Sequence, residues 1–275
     1  MLKIQRIKLD EVDSTNNYLR HLDTQDDCRM TLVTAEYQTA GRGADQNHWE
    51  SARGENLLLS LRVMPSALPV RRMFAISEVT ALAVQESLIL TSCSLQTSPR
   101  GGLQEVLFPE EETEGGRSGE AFSIKWPNDI YYGDSKVAGI LIENDLQGDR
   151  VLRSTIGIGI NVNQRRFLSD APNPRSLADI VGHDVERNFV QEQFMDCFTH
   201  YFEQIETGRQ EALDALHESY KSYLYRSGEE HSYSDKNGIF RATLVDVEPT
   251  GHLILQDTSG TLRRYAFKEL KFLMK

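Results

Sequence analysis

The sequence is poor in cysteine. It has three in 275 residues, at the widely separated positions Cys28, Cys93 and Cys197. An odd and scattered set excludes a disulfide framework and a cysteine-rich zinc site, and it is typical of reduced thiols. Long apolar runs are also missing, since none approaches the ~18 residues of a membrane-spanning helix. The amino-terminal segment has no apolar core of a secretory signal. We therefore expect a cytoplasmic protein that does not enter a membrane.

Basic residues are in deficit. The 30 Lys and Arg face 41 Asp and Glu, which gives a formal net charge of −11. Such a balance argues against sequence-independent nucleic-acid binding as the main task, because that binding depends on neutralising phosphates. A length of 275 residues predicts about two domains, at roughly 150 residues each.

The common nucleotide and hydrolase signatures are absent as well. The sequence contains no G-x-x-x-x-G-K-[ST] loop, no G-x-G-x-x-G between a strand and a helix, no H-E-x-x-H and no G-x-S-x-G. The seven histidines are scattered and are interpreted as structural or surface residues. Any nucleotide chemistry therefore needs another scaffold.

The apolar periodicity predicts a mixture of strands and helices. Residues 70–90 and 189–220 have helical spacing, the latter with a break at Gly208, whereas residues 30–36, 56–63, 135–143 and 151–162 resemble buried strands. After residue 225, short strands alternate with turn signals about every ten residues, which indicates a small β-barrel. We predict domains at 1–224 and 225–275. Residues 91–121, rich in Ser, Gly, Pro and Glu, are predicted to be a flexible insertion.

Four segments combine glycine or small residues with charged and amide side chains. They are TAGRG at 39–43, KWPND at 125–129, KVAGILIE at 136–143 and GIGINVN at 157–163. Each alone has an ordinary interpretation as a surface turn or a core strand. Their common order and spacing favours a shared site.

The chemistry of these segments is suited to anions. Gly41 and Gly43 let the backbone on both sides of Arg42 approach a ligand closely, and the guanidinium can bind a carboxylate or phosphate through two nitrogens. Lys125, at the end of a strand, can neutralise phosphate charge. The oxygens of Asp129 are suited to Mg²⁺.

The set resembles the catalytic domain of biotin protein ligases. The residues that carry the resemblance are DSTNNYL at 13–19, AEYQTAGRG at 35–43, Trp49, NLLLSL at 56–61, KWPNDIY at 125–131, KVAGILIE and GIGINVN. The resemblance implies an α+β fold of the class II aminoacyl-tRNA synthetase and biotin ligase type, with a mixed sheet flanked by helices. It also implies a small SH3-like carboxyl-terminal domain.

The resemblance implies a two-step reaction with ATP, biotin and Mg²⁺. Biotin's carboxylate attacks the α-phosphorus of ATP, which yields biotinyl-5′-AMP and pyrophosphate. A lysine of a biotin carboxyl carrier domain then takes the biotin and releases AMP. Both first substrates are anions, so their repulsion must be neutralised. The intermediate must also be kept from water, which predicts a loop at 39–49 that closes over it.

The family pattern also assigns roles to residues. Lys125, Arg42 and Asp129 are expected to be catalytic, with Asp129 also a magnesium ligand. The biotin site is expected to comprise Ser14, Thr15, Asn16, Gln38, Gly41, Arg42, Gly43, Lys125, Gly139 and Gly157. The ATP site is expected to comprise Arg42, Trp49, Lys125, Asn128 and Asn161, with Trp49 stacked on adenine.

The sequence departs from the family pattern in three places. Residues 44–48 lack the further arginines that some members carry after GRG, residues 91–121 form the insertion, and we expect no winged helix-turn-helix of the kind that some members carry before the catalytic region. We therefore expect no DNA-binding duty. The alternatives are a lipoate–protein ligase and a non-catalytic biotin sensor. Monomer and homodimer both remain open, as does the identity of the carboxylase that supplies the carrier.

Overall fold

The computed structural model describes residues 3–23, 29–44, 47–66, 68–96, 121–168 and 173–274. Within these ranges seven strands form one mixed sheet in the order β1-β2-β3-β7-β6-β5-β4. They are β1 (Ile4–Val12), β2 (Met30–Gln38), β3 (Leu57–Val63), β4 (Phe122–Lys125), β5 (Asp129–Tyr132), β6 (Ser135–Gln147) and β7 (Arg150–Ile160). The β1–β2 pair is parallel and the other pairs are antiparallel.

Five α-helices accompany this sheet in the described ranges. They are α1 (Thr15–His21), α2 (Ala75–Gln96), α3 (Leu177–Val181), α4 (Arg187–Glu206) and α5 (Gln210–Ser222). The predicted break between the last two helices is confirmed. Gly208 lies between them with φ +62°, a left-handed conformation that glycine adopts at little cost.

Strand β3 separates the core from the face that carries α1. Its side chains alternate between the two faces of the sheet, as in any strand. Leu57, Leu59 and Leu61 belong to the apolar core, together with buried residues of α2 such as Leu82. The Ser60 hydroxyl points the other way and contacts α1.

Helix α2 is longer than predicted. It continues to Gln96, so residues 91–96 of the predicted insertion are helical, and residues 97–120 lie outside the described residues. By length and composition Val70–Leu95 could cross a membrane, but 67% of its most apolar 18-residue window is buried inside the fold. The core helix of a soluble protein has the same length and composition, so this stretch is weak evidence for a membrane span.

A second, antiparallel sheet follows at the carboxyl end. Its order is β11-β10-β9-β8-β12, formed by β8 (Glu230–Asp235), β9 (Gly238–Val247), β10 (Leu253–Asp257), β11 (Leu262–Tyr265) and β12 (Lys271–Phe272). The prediction of a β-rich tail is confirmed. The strands that the sequence predicts at 239–247, 252–256 and 261–267 correspond to β9, β10 and β11, whereas β8 and β12 were not predicted.

The second sheet is anchored on the first part of the chain through the turn at Gly251. The Trp126 indole Nε1 donates to the Gly251 carbonyl over 3.0 Å. A Cβ at Gly251 would lie 2.5 Å from the Phe74 ring, and its φ is +88°. Glycine is therefore required here both for the close approach and for the backbone angle. This contact brings the second sheet beside KWPND.

Candidate active site

A cavity of about 710 Å³ lies on the α1 side of the mixed sheet. It is lined by twelve of the fourteen residues that the sequence assigned to the site: Ser14, Thr15, Asn16, Gln38, Arg42, Gly43, Trp49, Lys125, Asn128, Asp129, Gly139 and Gly157. Segments that are distant in the sequence therefore converge on one space. Phe267, in the turn between β11 and β12, also lines it.

The remaining two predicted residues, Gly41 and Asn161, do not line the cavity. Gly41 shapes the loop, because its carbonyl accepts from the Trp49 amide over 3.0 Å and a Cβ would lie 2.5 Å from the Trp49 carbonyl. The side chain of Asn161 is buried, and its Nδ2 donates to the backbone carbonyls of Lys136 and Arg175, each over 3.4 Å. Asn161 thus supports the backbone that carries Lys136.

A cluster of hydrogen-bonded polar side chains, the polar nest, forms where α1 begins and consists of Thr15, Asn16, Gln38 and Ser60. Both the Thr15 amide and its hydroxyl donate to Gln38 Oε1, over 2.7 and 3.0 Å. Ser60 Oγ lies 2.7 Å from Thr15 Oγ1 and donates to Asn16 Oδ1. Hydroxyl and amide groups together offer both donors and acceptors, which a cyclic urea or amide requires. Ser60 was missed by the sequence analysis, although a serine within a run of leucines is a detectable signal.

The glycines of β6 and β7 make room for side chains of the protein itself. A Cβ at Gly157 would lie 2.5 Å from Asn16 Oδ1. A Cβ at Gly139 or Gly159 would lie 2.6 or 2.3 Å from the Trp49 indole. In this structure Asn16 lies over Gly157, and Trp49 lies over Gly139 and Gly159.

Arg42 is held by a carboxylate that the sequence analysis did not assign. Glu143, near the middle of β6, accepts from both Arg42 terminal nitrogens over 3.2 and 3.0 Å. It also accepts from Arg20 over 3.1 Å and from Asn16 Nδ2 over 3.3 Å. The Glu143 carboxylate thus joins two residues of α1, Asn16 and Arg20, to the loop of residues 39–43, the GRG loop.

Lys125 is half-buried and its ammonium lies beside two aromatic rings. Its ammonium donates to Tyr131 Oη over 3.1 Å and lies 4.8 Å from the centre of that ring. Burial lowers the pKa of Lys125, Asp129 opposes this shift, and Lys136 adds to it. The cation is therefore poorly solvated, a condition that strengthens its attraction to a bound anion.

The predicted magnesium ligand is already engaged by a cation. Asp129 Oδ2 accepts from Lys136 Nζ over 2.6 Å. Asp129 is the one carboxylate among the described residues that line the cavity. No group of three or more His, Cys, Asp or Glu suited to a metal ion occurs in the described ranges. These residues do not form a magnesium site by themselves.

Comparisons with known proteins agree with this geometry. The profile of the Biotin/lipoate A/B protein ligase family matches residues 9–161. The Bifunctional ligase/repressor BirA of Bacillus subtilis is 28% identical over 262 residues, which cover 94% of this chain and 71% of that protein. The Biotin--[acetyl-CoA-carboxylase] ligase of Paracoccus denitrificans is 27% identical, over 83% of this chain and 85% of that protein.

Solved structures show the same fold. The biotin protein ligase from Aquifex aeolicus in complex with biotin and ATP superposes with a TM-score of 0.71 at 24% identity, over 98% of this chain and 99% of that one. At this identity the match concerns the fold alone. The family profile covers more than half of the chain and includes every predicted site residue. The chain therefore belongs to the biotin/lipoate A/B protein ligase family.

Proposed function

We propose that this protein is a biotin–protein ligase that activates biotin with ATP and transfers it to a lysine of a biotin carboxyl carrier domain. The observation that carries the proposal is the convergence of Lys125, Arg42 and the polar nest of Thr15, Asn16 and Gln38 on one cavity. The nest is suited to the ureido ring of biotin, and the two cations are suited to its carboxylate and to phosphate. The relatives named as biotin ligases support this choice over lipoate.

In the first step, an oxygen of the biotin carboxylate forms a bond to the α-phosphorus of ATP. The bond from that phosphorus to the oxygen that bridges it to the β-phosphate breaks, and pyrophosphate leaves with the electron pair. Lys125 and Arg42 lower the repulsion between the two anions and stabilise the charge that develops on the α-phosphate. The poor solvation of Lys125 makes its charge more effective than it would be in water.

In the second step, the neutral amine of the carrier lysine attacks the carbonyl carbon of the adenylate. The bond from that carbon to the AMP oxygen breaks, AMP leaves, and the new amide nitrogen loses a proton. The mixed anhydride must be shielded from water until the carrier arrives. We propose that the GRG loop and Trp49 supply this shield, and that Trp49 also contacts the adenine. Asn128, which is buried at the cavity wall, is proposed to contact the nucleotide.

We propose residues 1–224 as the catalytic domain and 225–275 as a small SH3-like domain. Support comes from the division into two sheets, the first ending with β7 and the second beginning with β8. A cytoplasmic location is supported by the two described cysteines, Cys93 and Cys197, which are free thiols. The net charge of −11 supports a role of this chain without DNA binding.

The transfer reaction tests the proposal. The protein is incubated with ATP, Mg²⁺ and a biotin carboxyl carrier domain, with biotin in one tube and lipoate in another, and the intact mass of the carrier is measured. A mass increase by one biotinyl group, lost when the acceptor lysine is replaced by arginine, is expected. Modification with lipoate alone would indicate the lipoate ligase, and biotin binding with no modification would favour the sensor.

A further inference from the structure

The second sheet places an aromatic ring beside the candidate catalytic lysine. Phe272 lies on β12, close to the end of the chain, and pairs with Tyr233 of β8. The two rings are packed edge to face with centres 5.1 Å apart, so Phe272 is fixed within its own sheet. Its ring centre also lies 5.4 Å from Lys125 Nζ, across the boundary between the two sheets.

The Lys125 ammonium thus contacts two rings, one from the second sheet (Phe272) and one from strand β5 (Tyr131). Both distances fall within the ~6 Å range of cation–π attraction. Within the described part of the chain, Lys125 forms no ion pair with a carboxylate, because the Asp129 carboxylate pairs with Lys136. An aromatic ring attracts an ammonium without neutralising it, whereas a carboxylate partner would compete with an anionic substrate.

We infer that Phe272 is a positioning residue for Lys125, so that the carboxyl-terminal sheet completes the active site. This inference rests on the proposed function, because the catalytic role of Lys125 is itself proposed. It extends that function by assigning the second sheet a direct part in the first step: the Phe272 ring, fixed against Tyr233, holds the ammonium in position at the cavity.

The charged and polar groups around Lys125 predict how its pKa changes when the Phe272 ring is removed. Burial lowers the pKa of Lys125, the negative charge of Asp129 raises it, and the positive charges of Lys136 and Arg226 lower it. Tyr131 Oη accepts the hydrogen bond of the ammonium and stays with Lys125 when Phe272 is replaced. Loss of the Phe272 ring removes one more group that favours the charged form, and the pKa of Lys125 is then expected to fall further.

The test compares Phe272→Leu and Phe272→Tyr with the matched control Phe240→Leu. Phe240 belongs to the same sheet and contacts Tyr233 and Tyr265, and it has no ring contact with Lys125. Biotin-dependent pyrophosphate release is measured from pH 6 to 10. We expect Phe272→Leu to lower kcat about tenfold, in the range that cation–π contacts of this burial supply, and to move the alkaline limb to lower pH. Phe272→Tyr and Phe240→Leu are expected to stay within about twofold of the original protein.

A second readout does not depend on biotin or ATP. Lys125 is labelled with acetic anhydride at a series of pH values, and the extent at Lys125 and Lys236 is followed by peptide mass spectrometry. In Phe272→Leu, labelling of Lys125 is expected to begin at lower pH than in the original protein, while that of the exposed Lys236 is unchanged. The labelling also distinguishes loss of the ring from disorder of the sheet. If disorder of the second sheet causes the effect, Phe240→Leu is expected to shift the onset of Lys125 labelling as Phe272→Leu does.

The inference is overturned if Phe272→Leu and Phe240→Leu give the same kcat, pH profile and Lys125 labelling. The proposed function fails separately, if the original protein releases no pyrophosphate with biotin. In that event an earlier onset of Lys125 labelling in Phe272→Leu still supports the placement of the ring, and an unchanged onset contradicts it.

Discussion

The two terminal nitrogens of Arg42 donate to the two carboxylate oxygens of Glu143, over 3.2 and 3.0 Å. The pair joins the GRG loop to strand β6, and Arg20 and Asn16 of α1 complete the set of donors to the same carboxylate. A planar guanidinium whose two terminal nitrogens both donate to one carboxylate has a fixed orientation. Its remaining N–H groups are therefore presented in one direction before any substrate arrives.

Replacement of Glu143 by alanine is expected to impair biotin binding more than stability. Arg42 and Asn16 would lose their common anchor, and the KM for biotin is expected to rise about tenfold, the equivalent of one charge-assisted hydrogen bond. The ion pairs are partly exposed, so the free energy of unfolding should fall by no more than about 1 kcal/mol.

The matched control is Glu192→Ala, which removes the exposed ion pair with Arg6, and neither of these residues lines the cavity. Steady-state kinetics with varied biotin, together with urea denaturation, compares the two variants. Equal biotin KM values in both would contradict the anchoring role of Glu143.

Replacement of Lys125 by alanine is expected to abolish activation while the fold is retained. Removal of a preorganised charge from a reacting centre typically costs about 10²–10³ in kcat. Pyrophosphate release and far-ultraviolet circular dichroism are measured on the same sample. Unfolding of Lys125→Ala, or full activity of a folded variant, would contradict the catalytic assignment.

Gly157→Ala is expected to reduce biotin affinity by about tenfold or more. The new Cβ would lie 2.5 Å from Asn16 Oδ1, so Asn16 must leave its place in the polar nest. Gly148→Ala serves as the comparison: its φ is +60° and its Cβ meets no atom within 4 Å. That change should cost about 1–2 kcal/mol of stability through backbone strain and leave biotin affinity unchanged. Titration calorimetry with biotin distinguishes the two, and equal affinities would refute the steric account.

A buried histidine predicts the pH dependence of stability. His217 on α5 has both ring nitrogens near acceptors, Glu78 Oε1 of α2 at 2.5 Å and the Val247 carbonyl of β9 at 2.8 Å. Burial alone would lower the pKa of His217, but the hydrogen bond and charge of Glu78 raise it above the ordinary 6.5, with a smaller opposing effect of Lys221. The protonated ring therefore links helices α2 and α5 to strand β9 of the second sheet.

The sign of this effect follows from linkage. Because the folded-state pKa of His217 is raised above 6.5, its contribution is fully present below pH 6.5 and is lost as pH rises through the raised pKa. The free energy of unfolding should thus contain a component that declines over that window. His217→Ala should remove this component and cost about 3–5 kcal/mol, because Glu78 is left buried without its partner. Urea denaturation from pH 6 to 9 measures both, and an unaltered pH dependence in the variant would contradict the pairing.

The sequence was most informative where the chemistry is local. Lys125, Asn128 and Asp129 fall within one short turn, and Arg42 lies between two glycines, so their residue types already indicate an anion site. The strands and the break at Gly208 follow from apolar periodicity and from glycine's backbone freedom. Trp126 to Asn128 were interpreted as a turn at the end of a strand, and in the structure they link the hairpin of β4 and β5.

Long-range partners could not be predicted in this way. Glu143 belongs to a segment that was singled out, yet its role depends on α1 and the GRG loop, which reach it only through the sheet order. Phe272 required knowledge of how the second sheet lies against KWPND. Gly139 was assigned to the biotin site from the sequence. The sequence does not indicate that the Trp49 indole lies over this glycine, because Trp49 and Gly139 are 90 residues apart.

The central claim is ATP-dependent activation of biotin, and pyrophosphate release tests it most directly. The purified protein is mixed with ATP and Mg²⁺, with and without biotin. The amount of pyrophosphate released in a single turnover is measured together with the mass of the bound product. The account predicts one pyrophosphate and one biotinyl-5′-AMP for each active site, with neither formed when biotin is omitted. Tight biotin binding without pyrophosphate, or release supported by lipoate alone, would contradict it.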